Sequence, residues 1–133
     1  MATVENVRIA ITASTTKPGY SDIAYSYELH PSEFDCAWKR EYTMRTDLWG
    51  EDLVDDDVLA WEKDEHKVKF DDSGPCELKK VERVFEVETK VLEEDLLGDS
   101  EVYLIVEARS GLGPDKAGED PVIGRSNTVI GNF

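Results

Sequence analysis

Histidine and cysteine are both scarce, with two of each in 133 residues. Two histidines cannot build a three-histidine metal site, and without a Cys-x-x-Cys pair a thiolate zinc site lacks its ligand set. No apolar run approaches the roughly 20 residues that a membrane-spanning helix needs. The opening Met1-Ala2-Thr3-Val4-Glu5-Asn6 has neither a basic start nor an apolar signal core. The expectation is therefore a soluble, cytoplasmic chain in which Cys36 and Cys76 remain reduced, partly buried thiols. Cations are also few: 15 Lys and Arg against 30 Asp and Glu leave a formal charge of −15. That balance disfavours direct nucleic-acid binding and a polybasic membrane surface. No GxxxxGK phosphate loop, HExxH helix or GxSxG elbow occurs, and Gly111-Leu112-Gly113 lacks the third glycine of a dinucleotide fingerprint.

What is present suits one domain spanning residues 1–133, with 40% apolar residues and three Trp, five Tyr and four Phe for a core. Val7, Ile9, Ile11 and Ala13 alternate with Arg8, Ala10 and Thr12, the period of a half-buried strand. Thr15-Thr16-Lys17-Pro18-Gly19 breaks it, because proline fixes φ and glycine frees it. Ile23, Tyr25, Tyr27 and Leu29 form the clearest alternation, and Pro31 ends it for want of an amide.

Cys36, Trp38, Arg40, Tyr42 and Met44 share one parity, so a third strand is expected over 36–45, with Asp47-Leu48-Trp49-Gly50 as a turn or strand end. Val58-Leu59-Ala60-Trp61 reads as a strand or short helical turn, and Val68 with Phe70 as another strand. The 81–97 segment carries two periods. At period two, Val81, Arg83, Phe85, Val87, Thr89 and Val91 share one face, and Glu82, Val84, Glu86, Glu88 and Lys90 the other. At period 3.6, Val81, Val84, Phe85, Val91, Leu92 and Leu96 form a stripe broken by Glu88. The branched residues favour strand.

Val102 to Ala108 is partly apolar on both faces and reads as a central strand. Residues 110–121 read as a long Gly- and Pro-containing loop, with a last strand from Val122-Ile123 and Thr128-Val129-Ile130. Seven or eight short strands without βαβ alternation predict an all-β, antiparallel two-sheet β-sandwich. The hairpin of Val102–Ala108, a Gly-rich loop and Arg125-Ser126-Asn127-Thr128-Val129 resembles the closing F and G strands of immunoglobulin-like or fibronectin type III-like domains. The resemblance spans about 30 residues, lacks the Cys–Trp–Cys pattern, and implies a fold rather than a function.

Carboxylate clusters are the one positive chemical signal. Asp52 with Asp55, Asp56 and Asp57, Asp71 with Asp72, and Glu93 with Glu94, Asp95 and Asp99 fall at expected strand ends. Loops meeting at one end of a sandwich can supply the six to eight hard oxygens that Ca2+ takes; Asp55, Asp57, Asp71 and Asp72 are the candidate ligands. None fits EF-hand spacing, and acidic loops also serve solubility alone.

The favoured reading is a non-enzymatic interaction module that binds a basic protein partner, since a surface at −15 attracts cations. Glu82, Glu86 and Glu88, together with the 110–121 loop, are the expected contact surface. Trp49, flanked by Asp47 and Gly50, is the expected exposed aromatic, available to a partner or a sugar ring. A calcium-binding sandwich and a small enzyme assembled around His30 or His66 are the alternatives. A monomer, or a weak dimer through exposed sheet edges, is expected.

Overall fold

The computed structural model describes residues 2–51, 56–70, 76–92, 100–110 and 121–131. Nine strands and two short helices follow in the order β1 (Thr3–Ala13), β2 (Tyr20–His30), α1 (Glu33–Ala37), β3 (Glu41–Gly50), β4 (Asp57–Trp61), β5 (His66–Lys69), β6 (Lys79–Glu88), α2 (Thr89–Leu92), β7 (Ser100–Ser110), β8 (Val122–Arg125) and β9 (Val129–Gly131). They form two antiparallel sheets packed as a sandwich. One is ordered β1-β2-β6; the other is β4-β3-β7-β8, with β5 also on β3 and β9 also on β7. The count exceeds eight because both flanks of the larger sheet are interrupted. At one break Glu62 N–H donates to the Thr46 carbonyl at 3.0 Å; at the other Ser126 N–H donates to the Leu104 carbonyl at 2.9 Å.

The core follows the period-two pattern. Ile23, Tyr25, Tyr27 and Leu29 of β2 are buried against Tyr42, Met44 and Leu48 of β3 and Val102, Leu104, Val106 and Ala108 of β7. β7 is central, as its two partly apolar faces predict, pairing with β3 on one side and with β8 and β9 on the other. In β1 the register slips between Glu5 and Arg8, and Asn6 takes φ +52°. This bulge lets Val4 and Val7, three apart, both face inward. The Pro18-Gly19 turn forms as read: Gly19 sits at φ +79°, and Ser14 N–H donates to the Tyr20 carbonyl at 2.9 Å.

The strand expected over 36–45 begins later, at Glu41, because a helical turn intervenes. Asp35, fully buried, accepts from the Ser32 N–H at 2.7 Å, the Ser32 hydroxyl at 2.9 Å and the Tyr42 hydroxyl at 2.7 Å. Arg40 Nη1 lies 3.4 Å from the same carboxylate. Burial would push the Asp35 carboxyl up; the Tyr42 and Ser32 donors outweigh it and hold it below its ordinary range. Lys39, at φ +51°, then ends the turn. This local bonding overrides the alternation of Cys36, Trp38 and Arg40.

The expectation of two reduced thiols is overturned. Cys36 and Cys76 form a disulfide, with Cα atoms 5.8 Å apart, that ties α1 to the residues entering β6. The tertiary fold brings the pair together across forty positions, which no local pattern announces. A disulfide is the form an oxidising compartment sustains, whereas the cytoplasmic expectation goes with free thiols. Among the described residues no helix is long and apolar enough to cross a membrane. Of the ambiguous 81–97 segment, the described part is strand through Glu88 and then one helical turn at Thr89–Leu92; residues 93–97 lie outside the described residues.

Candidate functional site

Among the described residues, the sandwich is closed along one side and open along the other. On the closed side β8 lies so near β1 that a Cβ added to Gly124 would fall 2.6 Å from Val4 Cγ1 and 2.8 Å from Val7 Cγ2. Asn127 completes the seam: its Oδ1 accepts the Ile9 N–H at 3.0 Å, occupying the free edge of β1. On the open side, a groove of about 650 Å³ runs between β4 and β6. Leu59 and Trp61 form one wall, Phe85, Val87 and Val91 the other, and Glu62 and Arg83 lie between them.

Glu62 leaves the break between β4 and β5 and is 9% exposed. Arg83, on the inward face of β6, closes its guanidinium on one carboxylate oxygen: Nε and Nη2 lie 2.8 and 2.7 Å from Glu62 Oε1. The other oxygen accepts the Tyr25 hydroxyl at 2.7 Å, and Thr46 donates to Tyr25 Oη at 3.2 Å. The hydrogen bond to Glu62 raises the Arg83 pKa, while burial is the main cause that raises Tyr25. Both groups are thereby fixed in their ordinary charge states.

The network continues to His66, whose Nδ1 is 4.0 Å from Glu62 Oε1 and whose Nε2 is 2.6 Å from Tyr27 Oη. Burial, then the Arg83 charge, lower the His66 pKa, so the imidazole is held neutral. The nearby carboxylate favours the proton on Nδ1, which leaves Nε2 to accept from Tyr27. The Tyr–His–Glu order has the connectivity of a catalytic relay, but Tyr27 is 1% exposed, so its oxygen is sealed from a substrate. The arrangement locks the two sheets together beneath the groove.

The second histidine is elsewhere. His30 ends β2 with Nδ1 3.2 Å from Glu5 and Nε2 2.9 Å from Glu28. Neither histidine lines the groove.

The outer face of the β1-β2-β6 sheet carries the residues expected to meet a partner. Ala10, Ala24 and Val84 stand in one cross-strand row, and Val84 is 63% exposed. The next row sets Asp22 directly opposite Glu86. Among the described residues neither has a salt bridge, and like charges in that position repel. Glu82 lies two residues along β6 from Val84 and is likewise without an ion pair. Glu88 shares this face, as predicted, but takes the Lys90 ammonium at 3.0 Å.

Trp49 lies at the end of β3, the strand-end alternative of the sequence reading, and is half-buried rather than exposed, stacking on Tyr103 with ring centroids 6.4 Å apart. The exposed tryptophans are Trp38 and Trp61, each 58% exposed. The reason is register: β3 extends to Gly50 because β7 pairs with it to that point.

Of the calcium candidates, Asp55, Asp71 and Asp72 lie outside the described residues, and Asp57 is described only as backbone at the start of β4. The contact loop expected at 110–121 is described only at its two ends, Ser110 and Pro121. The Glu62–Arg83–Tyr25 network was missed, although one signal existed: Arg83 is a charge on the apolar face of β6.

No family model matches the chain, and no curated protein matches it. Among solved structures it is similar to a crystal structure of a protein from Archaeoglobus fulgidus, at 10% identity and a TM-score of 0.49, over 98% of this chain and 96% of that one.

Proposed function

We infer that this protein is an interaction module whose open side, centred on β6, receives a cationic segment of another protein. The observation that carries this reading is the Asp22–Glu86 pair, two carboxylates opposed across strands with no ion pair among the described residues, beside the exposed Val84. A lysine or arginine of a partner relieves that repulsion, and its alkyl stem covers the row of Ala10, Ala24 and Val84. Trp61, at the adjoining groove, supplies the apolar anchor.

The partner reads side chains rather than adding a strand. β6 carries charge at most outward positions and turns Arg83 inward, both of which blunt edge-to-edge pairing. The same features disfavour self-association through this edge.

The test is calorimetric titration with Lys- and Leu-containing peptides against matched Glu-containing ones. The basic peptides are expected to bind, at least tenfold more weakly to Glu86→Lys. Trp61→Ala should weaken binding without altering its salt dependence. Equal affinity for both peptide sets, or for wild type and Glu86→Lys, rejects the surface.

A further inference from the structure

The two sulfurs of the disulfide sit in unlike surroundings. Cys36 is half-buried in α1, packs against the hydrophobic core, and follows the fully buried Asp35. Cys76 is exposed, in a stretch with no regular secondary structure, and the Ser32 carbonyl 3.8 Å from its Sγ is too weak a contact to shield it. Thiol–disulfide exchange needs a thiolate to approach one sulfur in line with the bond it breaks, so access decides which sulfur is attacked. Core packing crowds Cys36 and leaves Cys76 open.

We propose that Cys76 is a modification site: a reversible point of exchange with a small monothiol. The incoming thiolate forms a bond to Cys76 Sγ as the Cys36–Cys76 bond breaks. The electron pair leaves on Cys36 Sγ, which takes a proton from water. The product is a mixed disulfide on Cys76 and a free thiol on Cys36. Reversal is the attack of Cys36 on Cys76, which expels the small thiol.

The fold makes this opening local. α1 has five residues, too few to persist alone, but Asp35 still binds Ser32, Tyr42 and Arg40 once the sulfurs part. Cys36 therefore stays near its partner, and the sandwich beneath is untouched. What loosens is the exposed end of α1, where Phe34 and Trp38 pack with ring centroids 5.3 Å apart.

The experiment incubates the native protein with reduced glutathione, quenches with acid, and maps adducts by peptide mass spectrometry. The glutathione adduct is expected on Cys76, with free thiol on Cys36. Hydrogen exchange should quicken at the amides of Trp38 and Lys39, which bond to the Phe34 and Cys36 carbonyls, while the far-ultraviolet circular dichroism of the folded sandwich stays unchanged. An adduct on Cys36, an even split, or no adduct until the protein is unfolded overturns the proposal. As a second arm, Cys36→Ser and Cys76→Ser are alkylated in native buffer. Cys76 should react at least tenfold faster than Cys36; equal rates overturn the assignment.

Discussion

Replacing Arg83 with methionine removes the cation from the buried network while keeping most of its aliphatic volume. Glu62, with an 8% exposed side chain, is then left with the Tyr25 hydroxyl donating to it and the His66 Nδ1 4.0 Å away, and no guanidinium to balance it. Breaking a buried pair by deleting one partner costs about 3–5 kcal/mol, because the remaining charge stays desolvated. Two features place this site at the low end. Tyr25 continues to donate to Oε2, and the Arg83 side chain is 36% exposed, so water reaches the vacated position. The expected loss is about 3 kcal/mol, seen as a fall of about 10 °C in melting midpoint for a chain of this size.

The double variant Glu62→Gln/Arg83→Met discriminates the cause. It removes the stranded charge and retains an acceptor for Tyr25, so it should recover about 2 kcal/mol relative to Arg83→Met alone. Urea denaturation at pH 7 followed by far-ultraviolet circular dichroism measures all four corners of the cycle. A loss below about 1 kcal/mol for Arg83→Met, or a double variant no more stable than the single, refutes the claim that charge pairing under the groove matters.

Closing a forty-residue loop lowers the entropy of the unfolded chain, so Cys36→Ser/Cys76→Ser should lose about 4 kcal/mol, or about 2 M in urea midpoint. Coincident midpoints would rule that out. Gly124→Ala should cost about 1–3 kcal/mol, because its Cβ meets Val4 and Val7 below contact distance, whereas Gly50→Ala meets only the movable Leu59 side chain and should cost less; an equal melting loss contradicts the close β1–β8 seam. The lowered His66 pKa means the unfolded chain binds a proton first as pH falls. Stability from this group is therefore complete above pH ~6.5 and declines below it; His66→Gln should flatten the melting-temperature slope between pH 7 and 5. Tyr103, raised to about 12 by burial and the Asp56 hydrogen bond, acts at the other limb: its contribution is present below pH ~10 and is lost as pH rises through its folded value, which a Tyr103→Phe comparison reads out.

Period-two alternation by itself determined the sheet faces. Side chains on a strand point alternately to two sides, so the parity of Ile23, Tyr25, Tyr27 and Leu29 dictates which of them enter the core. The same parity placed Glu82, Glu86 and Glu88 on one face, and Pro18-Gly19 set the first turn through its own φ preferences. These are local properties, carried by neighbours along the chain. The turn at α1 and the start of β3 were less legible, because Asp35 draws its bonding partners from both sides of the alternating stretch.

Tertiary structure decided everything that depends on distant residues. The Cys36–Cys76 bond, the Glu62–Arg83–Tyr25 network and the burial of Trp49 each join segments far apart in sequence. Their partners are chosen by how two sheets stack and where their strands break. Asn127 and Gly124 close one side of the sandwich, whereas between β4 and β6 the Glu62–Arg83 pair joins the sheets beneath a groove that the described residues leave open. Which side stays open is set by packing between sheets, and a pattern read along one strand carries no information about the strand that faces it.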